Sequence, residues 1–482
     1  MRRALALATL VFGIAPASSQ PDGALRFREC FQDVGYGPTA CTPGRHIIGP
    51  TAVEISHDGR NLYVTSVGGL VPGVAVFTID RRVGALSQLP GARGCVSQTG
   101  ASSDGGLCAT EARLIQPAAL AESPDGRHVY VVSANPSSTI VTLARDRLSG
   151  GLSVVPGSHG CVSARERPDC VRVRAITRAT AIAASPDGRH VYVTASDDDA
   201  VAVFTRDPRT GKLTQLGGDD GCVSADGTDG DGGVCGKGGG IDDPTALAVS
   251  ADGRNVYAAG GLSDAVAIFA RDGRDGALRQ LAGVAGCLSA SSSRTGTQCG
   301  VARGILYPSS VTVSPDGRNV YLASWGGLIA AFGRDRRTGA LRQLPGTAGC
   351  LVDPGWSIQG CAPARLLPRP TAIAVSPDGR NVYVSTDGAS AASPPSKGVA
   401  VFARSPSGAL LQLPGENGCA SDDGSDGYAG ACASVPPLAL AVYDLTVSPD
   451  GKSVYVLADA LAAFARRGSD PVPKLPLLRP SR

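Results

Sequence analysis

The sequence predicts an all-β protein built as a seven-bladed β-propeller with four-stranded antiparallel blades. Three observations lead to this fold class. A Ser-x-Asp-Gly motif recurs seven times along the 482 residues, at intervals of 62 to 72 residues. Short runs rich in Val, Tyr and Phe alternate with turns that contain Gly and Asp, which is the pattern of strands. Fourteen cysteines fall into seven close pairs, one for each repeat, and such repeats build one large architecture from small units.

Each repeat divides into four predicted strands. An apolar run such as residues 372–375 forms the innermost strand, and an Asp-Gly hairpin turn follows it, with Gly supplying the positive φ. The second strand has the Val-Tyr-Val pattern of residues 382–384, and the third has the Val-Ala-Val-Phe pattern of residues 399–402. A Gly-Ala-Leu-x-Gln-Leu segment, as at residues 408–413, forms the fourth strand. No segment of useful length shows helical periodicity.

The two ends of the repeat region predict how the ring closes. The last repeat stops after its third strand, at residues 460–464, and no Gly-Ala-Leu segment follows it. The missing segment is found at residues 23–27. This N-terminal strand therefore completes the last blade, which removes an exposed sheet edge. We assign residues 1–19 to a signal peptide, residues 20–468 to a single propeller domain and residues 469–482 to a Pro-rich C-terminal tail.

The first residues have the pattern of a secretory signal. Arg2 and Arg3 precede the apolar run 4–14, and small residues follow where a signal peptidase would cut. An even number of cysteines in an exported chain indicates disulfides, and the wide spacing without histidines disfavours zinc. We therefore predict a secreted or periplasmic protein in which each cysteine bonds its sequence neighbour. The predicted pairs are Cys30–Cys41, Cys95–Cys108, Cys161–Cys170, Cys222–Cys235, Cys287–Cys299, Cys350–Cys361 and Cys419–Cys432.

The composition limits the range of partners. The formal net charge of +3 is small for this length and gives no basis for nucleic-acid binding. After the signal, no stretch is long and apolar enough to be inserted in a membrane. No haem-attachment, phosphate-loop or dinucleotide motif is present, so we expect no cofactor. We expect a monomer whose partner is a small molecule or an extracellular protein.

The loops that enter the innermost strands are predicted to share the top face of the ring. Binding sites favour variable loops on a rigid scaffold, and the residues near these entries depart from the repeat. Arginine would bind a carboxylate or polarise a carbonyl group, and an acid would activate water. The alternative is a solvated ring of salt bridges. The catalytic candidates are Asp243, Arg178 and Arg369, and the ligand-binding candidates at the same funnel mouth are Gln116, Tyr307, Tyr443, Asp444 and Glu54.

Histidines and acidic loops offer weaker candidates. His128 and His190 follow Asp-Gly turns and His57 replaces a turn proline, so we interpret all three as structural. His46, near the top entry of the first repeat, is the one histidine with a candidate functional position. Calcium needs several oxygen ligands, and the acidic top loops could supply them, but none has EF-hand spacing, so we interpret these loops as solvated and keep calcium as the alternative. The acids concerned are Asp197, Asp198, Asp199, Asp226, Asp229, Asp231, Asp422, Asp423 and Asp426.

The combined motifs resemble a known family. Ser-Pro-Asp-Gly-Arg at 376–380, Val-Tyr-Val at 382–384 and the segment from Arg-Asp to Thr-Gly-Ala-Leu at 334–341 are similar to motifs of lactonase-like seven-bladed propellers. That family includes sugar-lactone hydrolases and carboxymuconate-cyclising enzymes, and the resemblance implies the fold more strongly than the chemistry. An exported location disfavours a phosphorylated sugar lactone as substrate.

Two functions remain open from the sequence. The first is a secreted scaffold that binds a small anionic or carbonyl-bearing ligand, or a protein partner, on its disulfide-pinned top face. The second is a lactonase-type hydrolase, or a related cyclase, which would open or form its ring at the central funnel.

Overall fold

The computed structural model describes residues 21–33, 41–68, 71–134, 138–230, 232–290, 299–388, 396–439 and 441–468. Residues 1–19, residues 469–482 and Asp231 lie outside these ranges. Within them the chain forms a seven-bladed β-propeller, and no described helix is long and apolar enough to cross a membrane. We number the blades by their innermost strands, which are Pro50–Ile55, Pro117–Glu122, Ala179–Ala184, Pro244–Val249, Pro308–Val313, Pro370–Val375 and Asp444–Val447.

The second and third strands form the centre of each blade, and the predicted hairpins are confirmed. In blade 6 the turn serine stabilises its hairpin, because Ser376 Oγ donates to Asp378 Oδ1 at 2.6 Å and accepts from the amide of Asn381 at 3.0 Å. The second strands are Asn61–Ser66, His128–Ser133, His190–Ala195, Asn255–Gly260, Asn319–Ser324, Asn381–Thr386 and Ser453–Leu457. The third strands are Gly73–Ile79, Thr139–Arg145, Ala200–Arg206, Ala265–Arg271, Leu328–Arg334, Gly398–Arg404 and Leu461–Arg466.

Blades 1 to 6 contain six strands each, not the four that the sequence predicts, and the additional strands lie at the outer edge of each blade. A 3-10 turn divides the fourth strand into two segments that both pair with the third strand, and a short parallel strand follows the disulfide loop. The first segments are Leu86–Gln88, Leu152–Val154, Leu213–Gln215, Leu278–Gln280, Leu341–Gln343 and Leu410–Gln412. The second segments are Cys95–Ser97, Cys161–Ser163, Cys222–Ser224, Cys287–Ser289, Cys350–Val352 and Cys419–Ser421.

Short elements complete this outer edge. The parallel strands are Ala109–Thr110, Val171–Arg172, Gly236–Lys237, Gly300–Val301, Ala362–Pro363 and Ala433–Ser434. The 3-10 turns are Gly91–Gly94, Gly157–His159, Gly218–Gly221, Gly283–Ala285, Gly346–Gly349 and Gly415–Gly418, with a further one at Pro436–Leu438. A proline or glycine precedes most of them, and a left-handed glycine opens each of the first six, which explains why the strand is interrupted there.

The N-terminal strand closes the ring, as the sequence predicts. Leu25–Asp33 pairs antiparallel with the third strand of blade 7, with Leu25 opposite Arg466 and Phe31 opposite Leu461. Thr42–Gly44 then adds a parallel strand at the edge, so blade 7 has five strands. The last blade is therefore built from both ends of the propeller region, and its edge is paired rather than exposed.

The hydrophobic core lies between neighbouring blades. Between blades 2 and 3, for example, Tyr130 and Val132 pack with Val191, Val193 and Phe204. Because both faces of the central strands are covered in this way, those strands are continuous apolar runs in the sequence.

A polar network joins neighbouring blades below this core. The Tyr192 hydroxyl of blade 3 donates to the carbonyl of Gly276 at 2.9 Å and accepts from Arg271 Nε of blade 4 at 2.8 Å. Arg271 also donates to Gly253 O and pairs with Asp187 Oδ2 at 2.7 Å. The tyrosine of Val-Tyr-Val, the arginine of Arg-Asp and the turn aspartate are thus parts of one structural joint, which accounts for the motifs without any catalysis.

Two histidines belong to the same joints, as predicted. Arg206 Nη2 lies 2.8 Å from His128 Nδ1, and Arg271 Nη2 lies 2.6 Å from His190 Nδ1. Burial and then the positive charge of Arg206 lower the pKa of His128 to about 4, so its ring nitrogen is a neutral acceptor. Asn61 supplies an amide oxygen to Arg145 at the corresponding position.

All seven predicted disulfides are present, each local to its loop. Neighbouring segments fix these loops further. Arg174, which leads into blade 3, donates to the carbonyls of Gly218 and Val234 in the disulfide-loop region of that blade. Gln215 Nε2 returns a hydrogen bond to Arg174 O at 2.8 Å. The top loops are therefore held by covalent and polar contacts together.

Candidate functional site

The upper mouth of the central channel is the end at which the chain enters the innermost strands. One residue per blade precedes the strand there, and six of the seven have a left-handed backbone. Left-handed φ is uncommon for residues with a side chain and costs on the order of 1–3 kcal/mol. Local hydrogen bonds hold it in place, since the carbonyls of Arg178 and Tyr307 accept from the amides of Ser196 and Trp325, both at 3.1 Å. The six residues are Gly49, Gln116, Arg178, Asp243, Tyr307 and Arg369, with φ from 49° to 53°.

Asp243 and Tyr307 form a direct side-chain hydrogen bond between two positions of this ring. The Tyr307 hydroxyl crosses from blade 5 to blade 4 and donates to Asp243 Oδ2 at 2.6 Å. Burial raises the pKa of Tyr307 to about 12, with the Asp243 hydrogen bond and charge adding to the shift, while Arg178 and Arg369 oppose it. The phenol therefore stays protonated and remains a donor. The charges of both arginines thus reach the Tyr307 hydroxyl. Arg178 of blade 3, Tyr307 of blade 5 and Arg369 of blade 6 therefore share one electrostatic environment.

Trp325 is the residue of this site that sequence reasoning missed. It follows the second strand of blade 5, stacks on Tyr307 with ring centroids 4.5 Å apart and has the guanidinium carbon of Arg369 4.5 Å from its ring. The equivalent loop residues in blades 3 and 4 are Ser196 and Gly261, which are small. A Cβ atom at residue 261 would lie 3.2 Å from Tyr307 Cζ, so the glycine leaves room for the tyrosine. The chain has only two tryptophans, and this rarity was the available signal.

The two arginines have acidic partners within their own blades. Arg178 Nη1 lies 3.5 Å from Asp197 Oδ1, and both side chains are largely exposed. Arg369 Nε lies 3.4 Å from Asp387 Oδ2 in a more sheltered pair. Exposed pairs contribute little to stability, so an anionic ligand can compete for these guanidinium groups at low cost. Gln116 lies on the same ring and is exposed.

Tyr443 and Asp444 lie farther along the mouth, in blade 7. The Tyr443 hydroxyl donates to Asp459 Oδ1 at 3.4 Å, and burial followed by the charge of Asp459 raises the pKa of Tyr443. Asp444 is one residue farther into the channel, where its carboxylate accepts from the amide of Val53 at 2.9 Å. Burial raises the pKa of Asp444 to about 6. Tyr443 therefore belongs to the upper mouth, whereas Asp444 lines the wall below it.

The expected position of Glu54 at the funnel mouth was wrong. Glu54 lies near the opposite end of its strand, Pro50–Ile55, and lines a cavity together with His57 and Glu122. A strand rises about 3.3 Å per residue, so Glu54 is about 16 Å farther down the channel than Gly49. The structure thus separates Glu54 from the predicted residues of the ring, while Asp444, on the wall between, is near enough for its charge to act on Glu54.

The acidic top loops use their carboxylates within the protein. Asp198 accepts from the amide of Thr177, Asp199 from that of Asp243, and Asp229 pairs with Arg174. Asp426 pairs with Arg365 and accepts from backbone amides. Among the described residues the one metal-like trio is His46 with Cys95 and Cys108, but the two sulfurs form a disulfide and offer no thiolate. Calcium binding by these loops stays a prediction.

Comparison with known proteins gives a consistent family signal. Residues 109–224, from the edge of blade 1 through blade 3, match the family model described as "Lactonase, 7-bladed beta-propeller". The periplasmic gluconolactonase of Pseudomonas aeruginosa is similar at 23% identity and a TM-score of 0.51, over 82% of this chain and 92% of that chain. A protein from Lactobacillus plantarum is similar at 19% identity and a TM-score of 0.51, over 82% of this chain and 88% of that one. No curated protein matches the sequence. The predicted resemblance to lactonase-like propellers is confirmed.

Proposed function

We propose that this protein is exported and that its upper mouth binds and hydrolyses a lactone. The observation that carries the proposal is the Asp243–Tyr307 hydrogen bond of 2.6 Å, which lies in the field of Arg178 and Arg369. A carboxylate, a neutral donor and two cations are the groups that lactone opening requires. They come from four consecutive blades, and a rigid ring holds them.

Each residue has a distinct role in the proposed reaction. Asp243 accepts a proton from a water molecule, and the water oxygen bonds to the lactone carbonyl carbon. Arg369, held against Trp325, or Arg178 stabilises the oxyanion that forms. The bond between the carbonyl carbon and the ring oxygen then breaks, and the ring oxygen takes the proton from Asp243. The product is a hydroxy acid, which releases its carboxyl proton to solvent and leaves its carboxylate beside the arginines, while Tyr307 orients Asp243.

The proposed export rests on the disulfides. Seven local disulfides are typical of proteins from oxidising compartments, and the N-terminal sequence has the pattern of a secretory signal. Since phosphorylated sugars are cytoplasmic metabolites, the proposed substrate is an unphosphorylated lactone. A gluconolactonase among the structural neighbours motivates aldonolactones as the first compounds to test.

The test is acid release from purified protein in a pH-stat, with aldonolactones and simple aliphatic lactones. We expect the parent to accelerate opening of at least one lactone. Asp243→Asn should lower kcat by about 100-fold or more, and Arg178→Ala with Arg369→Ala should lower kcat as well as raise KM, because these arginines hold both the substrate and the oxyanion. Asp219→Asn, an exposed acid on blade 3, is the matched control and should behave as the parent. Absence of acceleration with every lactone refutes the hydrolase, and the arginine variants then test ligand binding alone.

A further inference from the structure

The lower mouth of the channel, formed by the Ser-x-Asp-Gly turns, carries a second departure from the repeat. Glu54, His57 and Glu122 lie together there, on blades 1 and 2. The other blades have Ala or Thr at the position of Glu54, Pro or Ala at that of His57, and aliphatic residues at that of Glu122. Neither the inter-blade joints nor the upper mouth uses these three side chains as a group.

Glu122 is fully buried and only partly satisfied. Its Oε2 accepts from the amide of His57 at 2.6 Å and lies 2.7 Å from His57 Nδ1. Its Oε1 lies 3.3 Å from Arg145 Nε but forms no hydrogen bond within the described residues, because that Nε–H is directed to Tyr63 at 2.7 Å. A buried carboxylate oxygen without a donor is costly, although the charge of Arg145 offsets part of this cost. Glu122 is one of the residues that line the cavity.

Acidic side chains outnumber basic side chains at this junction. Arg145 already binds Asp58 in the way that the arginines of other blades bind their turn aspartates, so the joint is complete without Glu54 or Glu122. The half-exposed His57 pairs with Glu122. Glu54 is therefore an additional acid beside the Arg145–Asp58 and His57–Glu122 pairs. Burial, followed by the charges of Glu122 and Asp444, raises the pKa of Glu54.

A cavity of about 480 Å³ adjoins these acids. Its remaining wall is almost entirely apolar and comes from blades 2 to 4, with Leu120, Ile182, Pro186 and Ala251 among the lining residues. The volume is in the range of small-molecule sites, which combine apolar walls with a few convergent polar groups. An apolar wall on one side and two acids on the other match a ligand with a cationic head and a hydrocarbon body.

We propose that the lower mouth is a binding site for a small amphipathic ammonium compound. Its ammonium group lies at Glu54, with the buried Glu122 behind it, and its hydrocarbon part covers the apolar wall. Paired acids repel an anionic ligand. A metal ion is disfavoured because, among described residues, these side chains do not bring three ligand atoms within 4.8 Å of one another. This site is independent of the proposed lactone chemistry at the other mouth.

Isothermal titration of the full-length mature protein with n-hexylammonium chloride tests the proposal at pH 9, which is above the pKa of about 8 of Glu54 and below that of an alkylammonium group. We expect binding of one equivalent in the millimolar range or tighter, with 1-hexanol and hexanoate binding at least about tenfold more weakly, since hydrogen bonds to charged groups contribute at this level. Glu54→Gln should weaken hexylammonium binding at least about tenfold, and Asp219→Asn should not change it.

Two controls separate loss of the site from loss of the fold. Circular dichroism and the melting temperature should show that Glu54→Gln is folded. Ile182→Ser, in the apolar wall, should weaken hexylammonium less than it weakens longer alkylammonium ions, which extend farther over that wall. Equal binding of hexylammonium to the parent and to folded Glu54→Gln, or equal binding of hexanol and hexylammonium to the parent, would overturn the proposal. If the parent hydrolyses a lactone, Glu54→Gln should hydrolyse it at the same rate, because Glu54 lies at the other mouth of the channel.

Discussion

Replacing Glu54 by glutamine should stabilise the protein, and the effect should grow with pH. Burial, reinforced by Glu122 and Asp444 and opposed by His57, raises the pKa of Glu54 from 4.5 to about 8. Between these pH values the folded protein keeps a proton that the unfolded chain has released. Stability therefore falls as pH rises through this window. Glutamine has no proton to lose, so the variant does not pay this cost.

The size of the effect follows from the width of the window. Each pH unit between the unfolded and folded pKa values corresponds to about 1.4 kcal/mol, which gives at most about 5 kcal/mol across the whole range. Part of the carboxyl group faces the channel, so we expect about 3 kcal/mol. Parent and Glu54→Gln should have similar unfolding free energies near pH 4.5, diverge steadily up to pH 8 and differ by a constant amount above it.

Urea unfolding at a series of pH values, with disulfides intact, measures this difference. The midpoint should shift while the slope stays the same, because the surface exposed on unfolding is unchanged. Glu416→Gln, an exposed glutamate on the edge of blade 6, is the matched control and should follow the parent. Parallel curves for parent and Glu54→Gln at all pH values would refute the assignment of a proton to Glu54 in the folded state.

Four further outcomes test other parts of the structure. Cys95→Ser with Cys108→Ser should lower the unfolding free energy by about 3 kcal/mol, as measured by urea titration, and a change below about 0.5 kcal/mol would contradict a stabilising role for this loop closure. Deletion of residues 20–29 should expose the edge of blade 7 and cause aggregation in size-exclusion chromatography; a monomer with an unchanged melting temperature would count against closure by this strand. Tyr192→Phe should cost about 1–2 kcal/mol in urea unfolding, because Arg271 and Gly276 lose a buried partner; an unchanged midpoint would count against this joint. Gly261→Ala should displace Tyr307 and lower lactone turnover with little change in melting temperature; unchanged turnover would show that the Asp243–Tyr307 contact does not matter for activity.

The repeat determined most of the fold because each motif has a local physical cause. The Ser-x-Asp-Gly turns, the closure by residues 23–27 and all seven disulfides follow from turn chemistry, from the missing last strand and from cysteine spacing. The division of the fourth strand was not predictable by pattern alone, since Leu86–Gln88 and Cys95–Ser97 both have strand-like sequences. Only the left-handed Gly91 between them indicated the interruption.

The candidate site was predictable in part, for reasons of geometry. Arg178, Asp243, Tyr307 and Arg369 share one position in the repeat, so aligning the repeats places them on one ring. The sequence prediction placed Glu54 at the wrong mouth, because Glu54 differs from the other repeats at the far end of its strand, Pro50–Ile55, and not at the entry to it. Trp325 was missed because it lies in a loop whose length varies between blades, where repeats cannot be aligned by sequence.

The central claim is that the upper mouth holds the reacting lactone, and a crystal structure with the hydroxy-acid product tests it most directly. The aldonate of whichever lactone is turned over would be soaked at millimolar concentration into crystals of the parent and of Arg178→Ala with Arg369→Ala. We predict that in the parent its carboxylate lies within hydrogen-bond distance of Arg178 or Arg369, with the hydroxyl released from the ring beside Asp243. The double variant should show no such density. An aldonate bound elsewhere on the propeller, with the upper mouth empty, would show that the lactone does not react at the upper mouth.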